Sequence, residues 1–355
     1  MTIVRSVRQD DIDQLWDLIR QATYGMTTLQ ITKDQLMERV EASAFAVQRK
    51  VEKPDGNPYV FVMEDVHTGK LVGTSCIFSK IGGFEPFYGY KIIDSTHECQ
   101  ALNKSISTTE LHLIKIHDGP TEIGSLFLLS DYRGQGRGRL LSMARFVFMA
   151  AHPKRFSDEV IAEMRGVVHE EGICPFWDAI GRHFFEMDFP QADSLSTIDK
   201  RFIEDLMPKH PIYTCLLSQE ARDTIGKVHD QTKPALAMLH SEGFQARDLI
   251  DIFDGGPVVH CRRDSIDAVR RTRQLVLSDV RDTLDAPLAV LASEQNGFRA
   301  LIAPAIVSGN EVVTTQVASL MLQCKKGTNL LWMPLHPASN RSQTNDHEPG
   351  IASGI

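Results

Sequence analysis

Arg133-Gly134-Gln135-Gly136-Arg137-Gly138-Arg139 is the stretch of this chain whose residue types and spacing point most directly at chemistry. An apolar run, residues 123–129, leads into it, and apolar residues at helical spacing, 140–151, follow. That order reads as strand, glycine-rich loop and helix. Glycines without Cβ let backbone N–H groups close on an anion, and the start of a helix adds partial positive charge. Arg133, Arg137, Arg139 and Arg145, with no acid among them, strengthen the field. The stretch is suited to holding a phosphate; the plain alternative is a basic turn with no ligand.

Spacing narrows the ligand. The chain lacks Gly-x-x-x-x-Gly-Lys-Ser/Thr, which argues against a Walker-type nucleotide loop. Gly134-x-Gly136-x-Gly138 is also not the Gly-x-Gly-x-x-Gly of dinucleotide folds. Arg133-x-x-Gly136-x-Gly138 does resemble the Arg/Gln-x-x-Gly-x-Gly/Ala pyrophosphate loop of the GNAT acyltransferases, which bind acyl-CoA. The elements around it suit that resemblance. Residues 2–7 read as a strand, and Asp10 and Asp11 as caps of a helix with Ile12, Leu15, Trp16, Leu18 and Ile19 on one face. Residues 29–47 read as one or two further helices. Residues 59–65 and 70–78 form a hairpin through His67-Thr-Gly-Lys70. Strand 110–117 is expected to pair with 121–129 through Asp118-Gly119-Pro120, with strand 159–165 and helix 176–185 following the glycine loop. Short helices over 219–226 and 234–241 and a strand over 249–253 come next, then a helix over 265–273 and strands near 288–292, 298–306, 311–314 and 329–333.

The expected fold is α+β: a GNAT-like mixed sheet flanked by helices, antiparallel and turning parallel beside the loop, with a small β-rich C-terminal subdomain. The division is 1–260 for the transferase domain (core 1–190, extension 191–260), 261–336 for the β-rich part, and 337–355 as a polar, disordered tail. A net charge of −8 argues against a general nucleic-acid binder. The chain has neither an apolar signal core nor a run of about 18 apolar residues, so no membrane span is expected. Six scattered cysteines without Cys-x-x-Cys suit reduced thiols in a cytoplasm and offer no zinc site.

Four longer blocks go beyond the fold. Ala162-Glu-Met-Arg-Gly166, Pro175-Phe-Trp177 with Phe184-Phe-Glu-Met-Asp-Phe189, Leu206-Met-Pro-Lys-His-Pro-Ile-Tyr213, and Ile250-Asp-Ile-Phe-Asp-Gly-Gly-Pro257 resemble the arginine N-succinyltransferase family over roughly residues 1–260. The resemblance implies transfer of a succinyl group from succinyl-CoA, a co-substrate and not a permanently bound cofactor, to the α-amine of L-arginine. Related enzymes also accept ornithine, and members assemble as homo-oligomers or with a homologous second subunit.

Aminolysis of a thioester needs a neutral amine, donors for the tetrahedral oxyanion, and a proton for the departing thiolate. By resemblance, Leu126 and Leu128 offer backbone groups to the acyl-CoA arm, with Leu126 at the family's acyl-CoA contact. Arg133, Gly134, Gly136 and Gly138 cradle the pyrophosphate. His229 matches the family's proton donor; as one of thirteen histidines it would otherwise read as a surface residue, and His210 is the runner-up. For the guanidinium, Glu163 and Asp254 are candidates, although Asp251 and Asp254 equally suit a turn. Arg165 is the candidate cation for the succinyl carboxylate.

Overall fold

The computed structural model describes residues 1–22, 26–196 and 201–335; the expected tail lies outside them. Its architecture is α+β, a mixed sheet flanked by helices. The first ten strands are β1 (Thr2–Ser6), β2 (Pro58–Asp65), β3 (Lys70–Phe78), β4 (Gly82–Cys99), β5 (Lys104–Asp118), β6 (Thr121–Leu128), β7 (Glu159–Glu163), β8 (Ile212–Tyr213), β9 (Gln245–Ile250) and β10 (Pro257–Arg262). They run in the order β1-β2-β3-β6-β7-β10-β9-β4-β5-β8. Among the helices that cover them are α1 (Ile12–Ile19), α2 (Lys33–Gln48) and α3 (Arg137–Ala151).

β2 shows how the layers form. Its side chains alternate between the two faces of the sheet. Tyr59, Phe61 and Met63 pack with Phe146 and Phe148 of α3, while Val60 and Val62 pack with Leu15 of α1 and with Leu36 and Val40 of α2. Both faces are covered, so β2 reads as a continuous apolar run.

Several expectations are corrected. Asp11 stands before α1 but makes no side-chain cap; its carboxylate takes two bonds from Arg5, at 2.6 and 2.7 Å, and one from the Arg8 N–H. β6 does not pair with β5. It runs antiparallel to β3 and parallel to β7, whereas β5 pairs with β4. Gly119 explains the change of partner: its N–H bonds the Ile81 carbonyl, and a Cβ there would lie 2.7 Å from Ile81 Cγ1, so the turn is clamped to the chain before β4. β4 itself, broken in sequence by Gly82-Gly83, Pro86 and Gly89, gives no clean alternation.

The helix expected over 176–185 is two, Pro175–Ala179 and Gly181–Phe185. They part at Ile180, where Gly181 presses so closely on the Trp177 ring that a Cβ would meet it at 2.3 Å. The strand expected over 249–253 ends at Ile250, because the Asp251 carboxylate bonds the N–H groups of Phe253 and Asp254 and turns the chain.

Five further strands follow: β11 (Arg273–Arg281), β12 (Leu288–Ser293), β13 (Arg299–Ser308), β14 (Glu311–Thr315) and β15 (Asn329–Pro334). The helix expected over 265–273 is only Asp267–Arg271, and β11 begins two residues later. Their pairings, β12–β13–β14–β11–β15–β12, close into a five-stranded ring around Leu275, Leu277, Leu291, Leu301 and Leu330. β13 also pairs with β1, so the ring continues the main sheet.

Candidate active site

β6 carries an irregularity that exposes backbone. Opposite β3, Thr74 pairs with Phe127 but Cys76 with Gly124, so β6 has one extra residue, and Ser125 adopts φ 52°. This is a β-bulge, which re-aims the strand around it. Ser125 Oγ donates to Thr28 Oγ1 at 3.0 Å and ties the bulge to the segment before α2.

On the other side, β6 pairs with β7 only at Thr121–Val160 and Glu122–Ile161. β7 stays with β10, where Glu163 pairs with Val258, while β6 moves away. The two parallel strands therefore open like a V, and backbone groups of β6 beyond Glu122 face a cleft instead of a ladder.

That cleft encloses about 580 Å³, within the range of small-molecule sites. Residues 122–130 form one wall, with Arg133 in the loop and Gly138, Leu141 and Arg145 along α3; Glu163 at the end of β7, with Met164 and Arg165 after it, continues the wall. Gln231, Thr232, Asp251 and Asp254 complete it. The structure thus brings together Leu126, Leu128, Arg133 and Gly138. Gly134 and Gly136 stand just outside the lining, in the loop at its mouth, at φ 94° and 75°. Gly136 precedes the first turn of α3, whose leading N–H groups have no intrahelical acceptor. Arg137 is engaged locally, bonding Gln135 Oε1 at 2.7 Å and lying over the Tyr132 ring.

His229 stands behind the wall. Its N–H donates to the Arg165 carbonyl at 2.9 Å, and its Nδ1 accepts the Gln231 N–H at 3.1 Å. Nδ1 is therefore unprotonated, and the neutral ring carries its proton on Nε2. Burial holds its pKa below the ordinary histidine value, the Arg165 charge adds to this, and Asp230 and a bond to the Val168 backbone oppose it. His210 is exposed, on a turn ahead of β8.

The acids divide by what already holds them. Asp254 is buried, and its two carboxylate oxygens accept the N–H groups of Gly166 at 2.6 Å and Gly256 at 2.8 Å. Burial, then the nearby Asp251 charge, raises its pKa well above the usual carboxylate value. Both residues thus serve the crossing of the Met164–Gly166 and Asp254–Gly256 backbones. Glu163, at the end of β7, lines the cleft. Arg165 has Asp254 and Asp193 as its electrostatic neighbours.

The sequence did not single out Arg145 as a cleft residue. It is 2% exposed, on the cleft-facing side of α3, and does not belong to the surface field of the loop. An arginine inside an otherwise apolar helical run was the available signal. Among the described residues, no group of three His, Cys, Asp or Glu is placed to hold a metal ion, and no helix is long and apolar enough to cross a membrane.

A glycine loop at a helix start, beside a bulged strand that parts from its parallel neighbour, defines a GNAT-type acyltransferase. The family model described as "Arginine N-succinyltransferase beta subunit" matches residues 2–268. The arginine N-succinyltransferases of Shigella dysenteriae and Escherichia coli are each 40% identical over 330 residues, 92% of this chain and 96% of theirs. The arginine/ornithine succinyltransferase subunit AI of Pseudomonas aeruginosa superposes with a TM-score of 0.86 at 28% identity, covering 94% of this chain and 98% of that one. The chain belongs to the arginine N-succinyltransferase family, and it is an acyltransferase, as its sequence predicts.

Proposed function

We propose that this acyltransferase moves a succinyl group from succinyl-CoA to the α-amine of L-arginine by direct aminolysis. The observation that carries the reading is the parting of β6 from β7 at the bulge beside the glycine loop. An extended pantetheine arm fits against the free edge of β6 at Leu126 and Leu128. Its pyrophosphate then falls on Arg133, Gly134, Gly136 and Gly138, where N–H groups and the start of α3 favour an anion.

In this reading the α-ammonium loses one proton to solvent, the neutral nitrogen attacks the thioester carbon, and the second proton it sheds on becoming an amide passes to the base. The oxyanion is met by a backbone N–H near Leu126. The carbon–sulfur bond then breaks, leaving an amide and a thiolate. His229 suits the proton traffic because its lowered pKa keeps it neutral and able to accept. In this tautomer Nδ1 is the accepting atom, so the ring must first release the Gln231 N–H; the imidazolium formed when it takes the amine's proton then protonates the thiolate. Glu163 offers the carboxylate for the guanidinium.

Holding both substrates supplies much of the acceleration, so no covalent enzyme intermediate and no permanently bound cofactor is needed. Ornithine is the second acceptor to consider, since the Pseudomonas relative carries both amino acids in its name. Assembly with another copy or a homologous subunit, in a cytoplasm that keeps the six free cysteines reduced, belongs to the same reading.

The test is a matrix of succinyl- and acetyl-CoA against arginine, ornithine and lysine, read by thiol release. Arginine with succinyl-CoA is expected to lead, and no release with any amine would overturn the proposal. His229→Ala is expected to bind CoA normally with kcat down by about 10²–10⁴.

A further inference from the structure

α3 carries a charge where its pattern calls for hydrocarbon. Arg145 lies within Ser142-Met-Ala-Arg-Phe-Val-Phe-Met149, all buried. Gly138, Leu141 and Arg145 all line the cleft. Spaced three and four residues apart, they form one stripe of the helix that leads inward from the glycine loop. The Leu141 carbonyl accepts a bond from Ser75 Oγ, and β3 on either side of Ser75 pairs with β6 across the bulge. The middle of the stripe, at Leu141, therefore lies beside the irregular part of β6, where the proposed reading puts the thioester, and Arg145 stands one turn further from the glycine loop.

The guanidinium folds back one turn. Nε donates to the Ser142 carbonyl at 3.2 Å, and Nη2 to Ser142 Oγ at 2.9 Å. Among the described residues it pairs with no carboxylate, and Nη1 makes no hydrogen bond. A buried cation without an anion is strongly unfavourable unless a ligand supplies one. The other cleft arginines are placed differently: Arg165 neighbours Asp254 and Asp193, and Arg133 stands at the open mouth.

We infer that Arg145 receives the distal carboxylate of the succinyl donor and so selects a carboxylate-bearing acyl group over a neutral one. The inference rests on the proposed succinyl-CoA reading. Two methylenes separate the thioester carbon from that carboxylate, so an acyl chain turned inward from Leu126 carries its charge toward α3. A charge-assisted bond from a planar guanidinium there combines attraction with direction. Arg145 thereby replaces Arg165 as the residue assigned to the succinyl carboxylate.

The experiment compares succinyl-CoA with butyryl-CoA, which has the same four-carbon acyl chain without the carboxylate. Both are assayed at saturating arginine in the unaltered enzyme, Arg145→Met and Arg145→Lys, with CoA inhibition as a control. Arg145→Met is expected to lose about 10- to 100-fold in kcat/KM for succinyl-CoA. Butyryl-CoA turnover and CoA inhibition should be retained, and Arg145→Lys should recover part of the loss. An equal fall for both donors, or an undiminished preference for succinyl-CoA, overturns the inference. If Arg145→Met does not fold, Arg145→Lys decides, because a donor ratio that does not move in it is also a refutation. An unaltered enzyme with no preference for succinyl-CoA would instead fail the proposed function itself, a result visible before any variant is made.

Discussion

At the scale of single residues, His229 and Arg165 are joined by more than the bond from one's N–H to the other's carbonyl. Burial is the larger reason that the His229 pKa lies below the ordinary value of 6.5, and the Arg165 charge is the next. If the ring must be neutral to accept the amine's proton, kcat falls as pH drops through this lowered pKa. The acid limb of the kcat profile is therefore expected below pH 6.5, and His229→Ala should abolish it. Arg165→Met removes a positive charge that disfavours the imidazolium, so the limb should move to higher pH, toward 6.5. A limb that stays in place while Arg165→Met still turns over would show that the two residues are not electrostatically coupled. Measuring kcat at saturating arginine and succinyl-CoA keeps the amine's own titration from being mistaken for the histidine's.

At the scale of elements, close backbone approach holds the two walls of the cleft together. A Cβ on Gly256 would lie 2.0 Å from the Met164 carbonyl oxygen, and one on Gly166 2.3 Å from the Asp254 oxygen. Both obstacles are backbone, so no rotamer change relieves them. Gly256→Ala is expected to cost about 3 kcal/mol, lowering Tm by about 4 °C. Gly134→Ala meets nothing within 4 Å and carries only the strain of φ 94°, so its cost should be about 1 kcal/mol. Thermal melts of the two variants check this ordering, and equal losses would refute the crossing as a packing constraint. The same elements show what the sequence made legible. The strand, glycine loop and helix around Gly134–Gly138 and the β2–β3 hairpin are local patterns, and both were readable. The partners of β6 are set by contacts across many intervening residues, and the turn at Asp118-Gly119-Pro120 misleadingly suggested β5. Arg145 read as part of the loop's field because on a helix buried all round its apolar neighbours mask the side that opens on the cleft.

At the scale of the whole molecule, the C-terminal ring and α3 share a core. Phe298, just before β13, packs edge-on against Phe61 of β2 at 5.4 Å and Phe148 of α3 at 5.3 Å. Val290, Ala292, Ala300, Leu331 and Met333 join the same apolar cluster. β13 also covers the free edge of β1, pairing at Val4–Ala300 and Arg5–Arg299. The family model stops at residue 268 and includes every residue assigned to the acyl donor or the proton transfer. A chain cut there would keep the chemical groups but expose one face of α3 and an unpaired strand edge, both of which promote aggregation. Residues 1–268 expressed alone are therefore expected to be insoluble or to bind succinyl-CoA without a cooperative thermal transition. Adding residues 269–335 as a separate chain should restore solubility if the shared core is what is missing. A soluble 1–268 fragment with undiminished kcat would show instead that α3 needs no cover from the ring, and that the two parts are energetically independent despite their shared packing.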